Sequence, residues 1–372
     1  MHVEADVRGA VEDRREVVER IRAVLDRLEF AEATEATEAT GLTEFTDPKA
    51  PGGPGERASA LTAASVSDDV LRRPAAIEAV HTAQRALRSG TPTREPLTAL
   101  AAVLGRFAGD GPPALGPAEP QDHLRRSVSR ALRSIPARRR DDGAPVTAGV
   151  VGWDAERRHV LVRAVDLLTG IWPEMVGELS ETVAEVALLD GDAIDGFTDF
   201  TVHGVVLLHR DRLTTSASGL PGPVRCAEAL VHEGTHNRCN AAAVAEPFLL
   251  PDPADGGATG ADGGSAGSGG TGAAAPGALR VTTPLRADPR PLSGLFQQTV
   301  VLARGVLLYR RLAAPAMLRM PGTAERAVTA REARLTASAR QAVDTLTAHS
   351  GALTDSGLAL LGECAAVTRG RP

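Results

Sequence analysis

The chain is poor in aromatic residues and nearly devoid of lysine. Aromatic residues make up 3% of the 372 residues and hydrophobic residues 43%, so a core must be built largely from Ala, Leu and Val. Lys49 is the one lysine among 41 basic residues, a bias typical of coding by a GC-rich genome. Arginine abundance is therefore poor evidence for nucleic acid binding, and the net charge of −6 argues against it.

Disulfide and membrane signals are also lacking. The three cysteines, Cys226, Cys239 and Cys364, form no C-x-x-C pair and are odd in number. This usage suits a reducing cytoplasm better than a secreted domain. No basic start followed by an apolar run opens the chain, and no apolar stretch reaches transmembrane length. We expect a cytoplasmic protein with no signal peptide and neither a membrane nor a nucleic acid partner.

Composition along the chain predicts its organisation. Residues 1–32 carry apolar residues at helical spacing and predict an N-terminal helix. A flexible linker is expected over 33–57, where Glu-Ala-Thr repeats precede a Pro/Gly-rich piece. A helical N-terminal region is expected over 58–150 and the main domain over 151–372. Within that domain, 252–278 is dominated by Gly, Ala, Ser and Asp and predicts a disordered insertion.

The predicted fold class is mainly α with a few short strands. Helix is expected over 155–189, with a break at Trp172-Pro173, and a strand at 205–208. A strongly apolar helix is predicted over 293–313. Further helices are expected over 74–89, 95–108, 123–135, 323–347 and 353–367.

The most informative motif is H-E-x-x-H at residues 232–236. The residues before it are good helix formers, and Pro221 and Pro223 mark a preceding loop. On a helix, His232 and His236 share one face, so their imidazoles can bind the same divalent metal. Glu233 can then reach water or substrate at that metal.

Spacing restricts which third ligand could complete a metal site. The metzincin pattern needs Gly and His where Cys239 and Ala242 stand, so that class is excluded. A thermolysin-like site needs a later Glu. Glu246 comes at the expected helix end, and the next glutamate is Glu325. A zinc peptidase with Glu233 as base is therefore an alternative with limited support.

Other donors lie near the motif. Cys239 follows His236 by three residues, but a small core residue is the simpler interpretation. His203 and His209 flank the predicted strand, and a lone histidine there is more often structural. Gln297 opens the apolar helix, an unusual core position unless it meets polar groups or a metal.

Two segments together resemble a known family. The first is L-V-H-E-G-T-H-N-R-C-N at 230–240, and the second is R-A-D-P-R-P-L-S-G-L at 286–295. The pair resembles the H-E-x-x-H-type peptide-modification proteins of bacterial natural-product clusters, over roughly 195–315. These look like iron(II)/2-oxoglutarate-dependent peptide β-hydroxylases, which act on ribosomally made precursor peptides.

The resemblance implies roles for individual residues. His232 and His236 would hold Fe(II), with a third ligand from a later helix. Gln297 stands where a histidine is expected, and glutamine is a neutral, poorer donor. Three alternatives follow: another ligand substitutes, the metal is held loosely, or the protein has drifted toward inactivity. Arg290, and second Arg286, would bind the distal carboxylate of 2-oxoglutarate.

The predicted function is thus an Fe(II)/2-oxoglutarate-dependent peptide β-hydroxylase acting on a ribosomal precursor peptide. In it, Glu233 would orient a ligand or water rather than act as a hydrolytic base. Arg290 has an alternative structural role, holding its loop through backbone carbonyls or Asp288. Two other functions stay open: a zinc metallopeptidase, and a catalytically impaired peptide-binding homologue.

Overall fold

The structure is a computed structural model, and it describes most of the chain. The predicted insertion 252–278 and the predicted linker beyond residue 41 lie outside the described residues. The side chains of 29–41, 280 and 282–290 also lie outside them. The described residues are 1–41, 65–91, 94–135, 139, 142–251, 280–283, 286–314 and 322–370.

Helices dominate the described residues, which confirms the mainly α class. None of these helices is long and apolar enough to cross a lipid bilayer. The helices are α1 Val7–Gly41, α2 Asp68–Leu71, α3 Pro74–Arg88, α4 Arg94–Arg106, α5 Asp122–Ser134, α6 Ala155–Ile171, α7 Pro173–Thr182, α8 Gly222–Ala245, α9 Leu292–Ala313, α10 Gly322–Ala348 and α11 Asp355–Thr368. The strands are β1 Gly116–Pro117, β2 Ala148–Val151, β3 Glu185–Gly191, β4 Gly196–Phe197, β5 Val205–His209, β6 Arg280–Thr283 and β7 Arg286–Pro291.

The chain divides into two compact units. One comprises Met1–Glu16 with Ala114–Pro372, and the other comprises Val17–Pro113. The second unit contains α2, α3, α4 and the later part of α1. Helix α5 and strand β2, which fall within the predicted 58–150 region, belong to the first unit together with the H-E-x-x-H helix.

Helix α1 is longer than the sequence predicts. It continues to Gly41, so residues 33–41 are helical although a linker was expected from 33. Glu and Ala are among the better helix formers, and the Glu-Ala-Thr repeats supply two of them in every three residues. Repetition was thus a poor indicator of irregular structure at this position.

The second helix predicted after the break at Trp172-Pro173 is present, but its predicted end near Leu189 is wrong. Helix α7 ends at Thr182, and β3 follows over Glu185–Gly191. β3 pairs in parallel with β5 and lies inside a sheet of order β1-β3-β5-β4, where β2 pairs antiparallel with β3. A short apolar run does not distinguish a buried strand from a helix by periodicity, which explains the error.

Both faces of the central strands are covered. Val186 and Leu188 belong to the large core formed with the helices of the first unit. Ala187 and Leu189 belong to a smaller core on the other face, together with Leu124 of α5. Strands buried on both faces have near-continuous apolar sequences, as β3 does.

Two glycines let α8 pack close to its neighbours. A Cβ at Gly222, the first residue of α8, would lie 2.2 Å from the carbonyl oxygen of Leu213 in the turn after β5. A Cβ at Gly234, inside the motif, would lie 2.2 Å from Cδ2 of Leu179 on α7. At these two positions the backbone of α8 therefore packs directly against the turn after β5 and against α7.

A buried ion cluster joins the helices around α8. Glu178 of α7 accepts a hydrogen bond from Nη2 of Arg304 on α9 at 3.1 Å, and its Oε2 lies 3.8 Å from Nε of Arg238 on α8. Arg238 also pairs with Asp13, and Arg304 donates from Nε to the carbonyl of Val3 at 3.0 Å. Glu178 thus links three helices and the N-terminal segment.

Neutralising Glu178 should strongly destabilise the protein. Glu178→Gln leaves two buried guanidinium groups without their shared carboxylate, and breaking a buried ion pair in this way costs about 3–5 kcal/mol. The measurement is the free energy of unfolding by chemical denaturation. Glu181→Gln is the matched control on the same helix, because its pair with Arg14 is partly exposed and is expected to contribute less than about 1 kcal/mol. Equal losses in the two variants would contradict the role given to Glu178.

Candidate metal centre

The two motif histidines lie on one face of α8, and both are partly exposed. Their ring centroids are 5.3 Å apart in an edge-to-face arrangement. The side chain of His232 is 40% exposed, whereas the adjacent Val231 and Thr235 are buried. The two imidazoles therefore reach the surface of the protein, although the residues next to them on α8 are buried in the core.

The surroundings of His232 favour its neutral form. Although part of the side chain is exposed, protein atoms surround the ring, and this desolvation lowers its pKa well below the ordinary value; the charges of His236, Arg212 and Arg331 lower it further. A histidine must be neutral to bind a metal through nitrogen. The environment of His232 is thus suited to a ligand at neutral pH.

His236 is oriented by a side chain from α9. Its Nδ1 lies 2.9 Å from Oε1 of Gln297, and Nε2 of Gln297 donates to Oδ1 of Asn240 at 2.9 Å. An amide oxygen only accepts hydrogen bonds, so with this orientation of the amide a neutral His236 carries its proton on Nδ1 and its lone pair on Nε2. Gln297 therefore contacts the motif at Nδ1 of His236 and not at Nε2.

Glu233 is buried beneath β4 and the residues after it. Thr198 donates from Oγ1 to Oε2 of Glu233 at 2.8 Å. Its Oε1 lies 4.0 Å from Nε2 of His232. A Cβ at Gly196 would lie 2.8 Å from the same Oε1, so glycine at this position leaves room for the carboxylate. Burial raises the pKa of Glu233, and the charge of His236 and the Thr198 hydrogen bond oppose that rise.

The predicted 2-oxoglutarate ligands are only partly described. Arg286 and Arg290 lie in β7, where Arg290 pairs with Val281 of β6. Their side chains, like that of Asp288, lie outside the described residues. The backbone of β7 leads directly into α9 at Leu292, so the D-P-R-P segment is continuous with the helix that carries Gln297.

Two further donors near the motif are directed elsewhere. Cys239 is fully buried, and burial raises the pKa of its thiol to about 12, which disfavours the thiolate that would bind a metal. Glu246 is the C-cap of α8 and its carboxylate accepts a hydrogen bond from Ser356 on α11. The surroundings of Cys239 and Glu246 therefore favour structural roles over metal binding.

The histidines beside β5 are likewise structural in their contacts. His209 bonds through Nε2 to the carbonyl of Gly191 at 2.8 Å, and its Nδ1 accepts from the backbone N–H of Asp211 at 3.3 Å. His203 is buried, with its ring centroid 5.8 Å from that of Phe200. Across the described ranges, no group of three or more His, Cys, Asp and Glu side chains is arranged to hold a metal ion. The donor set at α8 thus supplies two imidazoles for an ion.

Sequence reasoning missed a polar stripe along α8. Glu228, His232, His236 and Asn240 follow one another at four-residue intervals and so share one helix face. Glu228 accepts from the Tyr309 hydroxyl at 2.6 Å and from Nε of Arg331 at 3.1 Å. The four-residue spacing was a usable signal for Glu228 and Asn240. Thr198 gave no such signal, because it reaches Glu233 from a separate segment.

Comparison with known proteins adds no assignment. No protein-family model matches the chain, and no curated protein shows significant similarity to it. The geometry at α8 and the motif resemblance are therefore the basis for any functional proposal.

Removing the Thr198 hydroxyl should weaken the protein most where Glu233 is ionised. A raised pKa means that the folded protein keeps a proton that the unfolded chain releases, so Glu233 lowers stability as the pH rises through its folded pKa. Thr198→Val raises that pKa further. We expect a loss of about 1.5–3 kcal/mol in unfolding free energy at high pH, because the bond is to a charged group, and a smaller loss in acid.

Denaturant unfolding at about pH 8 and about pH 5 checks this expectation. Thr198→Ser retains a hydroxyl and is the matched control, with a loss well below that of the valine variant. An equal loss at both pH values in Thr198→Val would show that the hydroxyl does not stabilise an ionised Glu233.

Proposed function

We propose that the protein is an Fe(II)/2-oxoglutarate-dependent peptide β-hydroxylase that acts on a ribosomally made precursor peptide in the cytoplasm. The observation that carries the proposal is the contact between His236 and Gln297 at 2.9 Å. The two segments of the resemblance are far apart in sequence, yet this contact brings the H-E-x-x-H helix against the helix that follows D-P-R-P-L-S-G-L. A shared site is what a common catalytic role of the two segments requires.

His232 and His236 are the residues that would hold the iron. Fe(II) with 2-oxoglutarate and O₂ supplies oxidative decarboxylation and hydroxylation of a C–H bond when bound. The two imidazoles fit a divalent ion, because both are on one face of α8 and Gln297 contacts Nδ1 of His236 rather than Nε2. The site departs from the resemblance at the third protein ligand. Gln297 stands at that position, but its side-chain oxygen contacts Nδ1 of His236.

Glu233 has a supporting role in this proposal. Its carboxylate is fixed by Thr198 and lies 4.0 Å from Nε2 of His232, close enough to orient a water or ligand beside that nitrogen. The side chain of Glu233 is itself buried.

The distal carboxylate of 2-oxoglutarate needs a cation. Arg290 and Arg286 are the candidates from the resemblance. Arg212 is a candidate from the structure because the turn after β5 that carries it packs against α8, and its charge lowers the pKa of both His232 and Glu233. Its guanidinium lies 4.0 Å from the carboxylate of Asp195, a contact too long for a strong ion pair.

An anaerobic titration with Fe(II) and then 2-oxoglutarate tests the proposal. The wild type should develop the visible charge-transfer band of a chelated iron–oxoglutarate complex. His232→Ala should lose it, because one of two imidazole ligands is removed. Arg212→Gln should keep iron binding and require about tenfold more 2-oxoglutarate, since one charge-assisted contact is worth roughly that factor.

His349→Ala, a histidine outside α8, is the control and should behave as the wild type. No band in folded wild-type protein would exclude the oxygenase. A band retained in His232→Ala would place the iron elsewhere.

A zinc metallopeptidase is the second candidate, favoured by one observation. Glu233, whose pKa is raised, has a carboxylate oxygen 4.0 Å from Nε2 of His232, a nitrogen that would hold the zinc, and it would act from there as general base on a metal-bound water. With zinc and a peptide pool, Glu233→Ala should abolish cleavage in this case while zinc binding persists. Cleavage that survives the substitution would exclude this mechanism. Absence of both activities with retained peptide binding would identify a catalytically impaired homologue.

A further inference from the structure

We propose that Gln297 is a positioning residue outside the metal's coordination sphere, and that with Asn240 it fixes the tautomer of His236. Position 297 is where the resemblance expects a metal ligand. The geometry gives it a different task, which is to hold the proton on Nδ1 so that Nε2 faces the ion as a lone pair.

The argument begins at the ring of His236. Oε1 of Gln297 lies 2.9 Å from Nδ1, and this oxygen has no proton to donate. A neutral imidazole carries one ring proton, so a proton on Nδ1 leaves Nε2 unprotonated. An unconstrained histidine side chain favours the opposite tautomer, with the proton on Nε2. Gln297 therefore opposes the intrinsic preference of the ring.

Asn240 continues the chain of hydrogen bonds from the other end of the Gln297 amide. Its Oδ1 accepts from Nε2 of Gln297 at 2.9 Å, so the amide nitrogen points to Asn240 and the oxygen to His236. With both amides reversed, Gln297 would donate to Nδ1 and the proton would move to Nε2. The direction of this short chain of hydrogen bonds therefore decides which ring nitrogen of His236 is free to bind a metal.

Burial makes the arrangement effective. Asn240 is 2% exposed and Gln297 is 8% exposed, so water does not compete for either amide. Phe296 and Val300, both buried on α9, fix the backbone that carries Gln297. Gln298, the next residue, is partly exposed and takes no part in the chain.

The inference rests on the proposed function only in assuming that an ion binds at Nε2. It applies equally to iron and zinc, and the tautomer is a property of the metal-free protein. A residue that orients a metal-binding histidine typically contributes about 10- to 100-fold to metal affinity.

Long-range ¹H–¹⁵N NMR of the histidine rings in the metal-free, full-length protein tests the tautomer directly. The His236 signals are assigned by their loss in His236→Asn. In the wild type we expect a protonated Nδ1 and an unprotonated Nε2. Gln297→Leu removes the acceptor and should move the proton to Nε2, whereas Gln298→Leu should change nothing.

Gln297→Glu is the rescue variant. It retains an acceptor for Nδ1, and Asn240 can turn its amide to donate from Nδ2, an atom without a hydrogen-bond partner in the described residues. This variant should keep the proton on Nδ1.

Zinc affinity, measured by competition with a chromophoric chelator, gives the second readout. Gln297→Leu should bind about 10- to 100-fold more weakly than the wild type. Gln297→Glu and Gln298→Leu should stay within a few-fold of it. A lone pair on Nδ1 of wild-type His236, or unchanged affinity in Gln297→Leu, would overturn the inference. A wild type with the expected tautomer but no iron–oxoglutarate band would refute the proposed hydroxylase and leave this inference standing.

Discussion

The arrangement of the site depends on a buried carboxylate, Glu178, between two buried guanidinium groups. Arg238 and Arg304 are 0% exposed, and such charges are tolerated in a core only when they are paired. Arg238 follows His236 by two residues, which is about 200° around a helix. The ion pair on the buried side of α8 therefore fixes the rotation that turns the histidines outward.

The same constraint sets the position of α9. Gln297 and Arg304 are seven residues apart, close to two helical turns, and so lie on one face of α9. One end of that face meets His236 and the other meets Glu178. A shift or rotation of α9 would break both contacts together. Stability of the core and orientation of the site are thus coupled through one helix face.

Much of the helical framework follows from the sequence, but the environment of the site does not. The predicted helix over 293–313 differs from α9 by one residue at its start, because its apolar pattern and preceding prolines are strong local signals. Strand β3 was missed because both of its faces are buried, which removes the alternation that identifies a strand. Local pattern therefore predicts an element best where clear boundary signals, such as the prolines before α9, accompany the apolar run.

The motif predicted the histidine pair, whereas the groups that tune it required the tertiary structure. Thr198 reaches Glu233 only because β4 pairs antiparallel with β5 and places the next residues over α8. The resemblance indicated that Gln297 belongs near the motif. It did not indicate that its oxygen faces Nδ1, since that direction belongs to a chain of hydrogen bonds that includes Asn240. Hydrogen-bond direction is a property of the packed site rather than of the spacing.

The roles of the two histidines and of Glu233 determine which metal chemistry the site could support. His232 and His236 supply imidazole nitrogens, and Thr198 fixes the carboxylate of Glu233 beside His232. A divalent ion bound only by neutral imidazoles keeps its full charge and most of its coordination positions. Such an ion gains most from a chelating anion, because two oxygens then supply both charge and ligands. The carboxylate and keto oxygens of 2-oxoglutarate would meet this requirement in the proposed site, because the only protein ligands proposed there are the two imidazoles of His232 and His236.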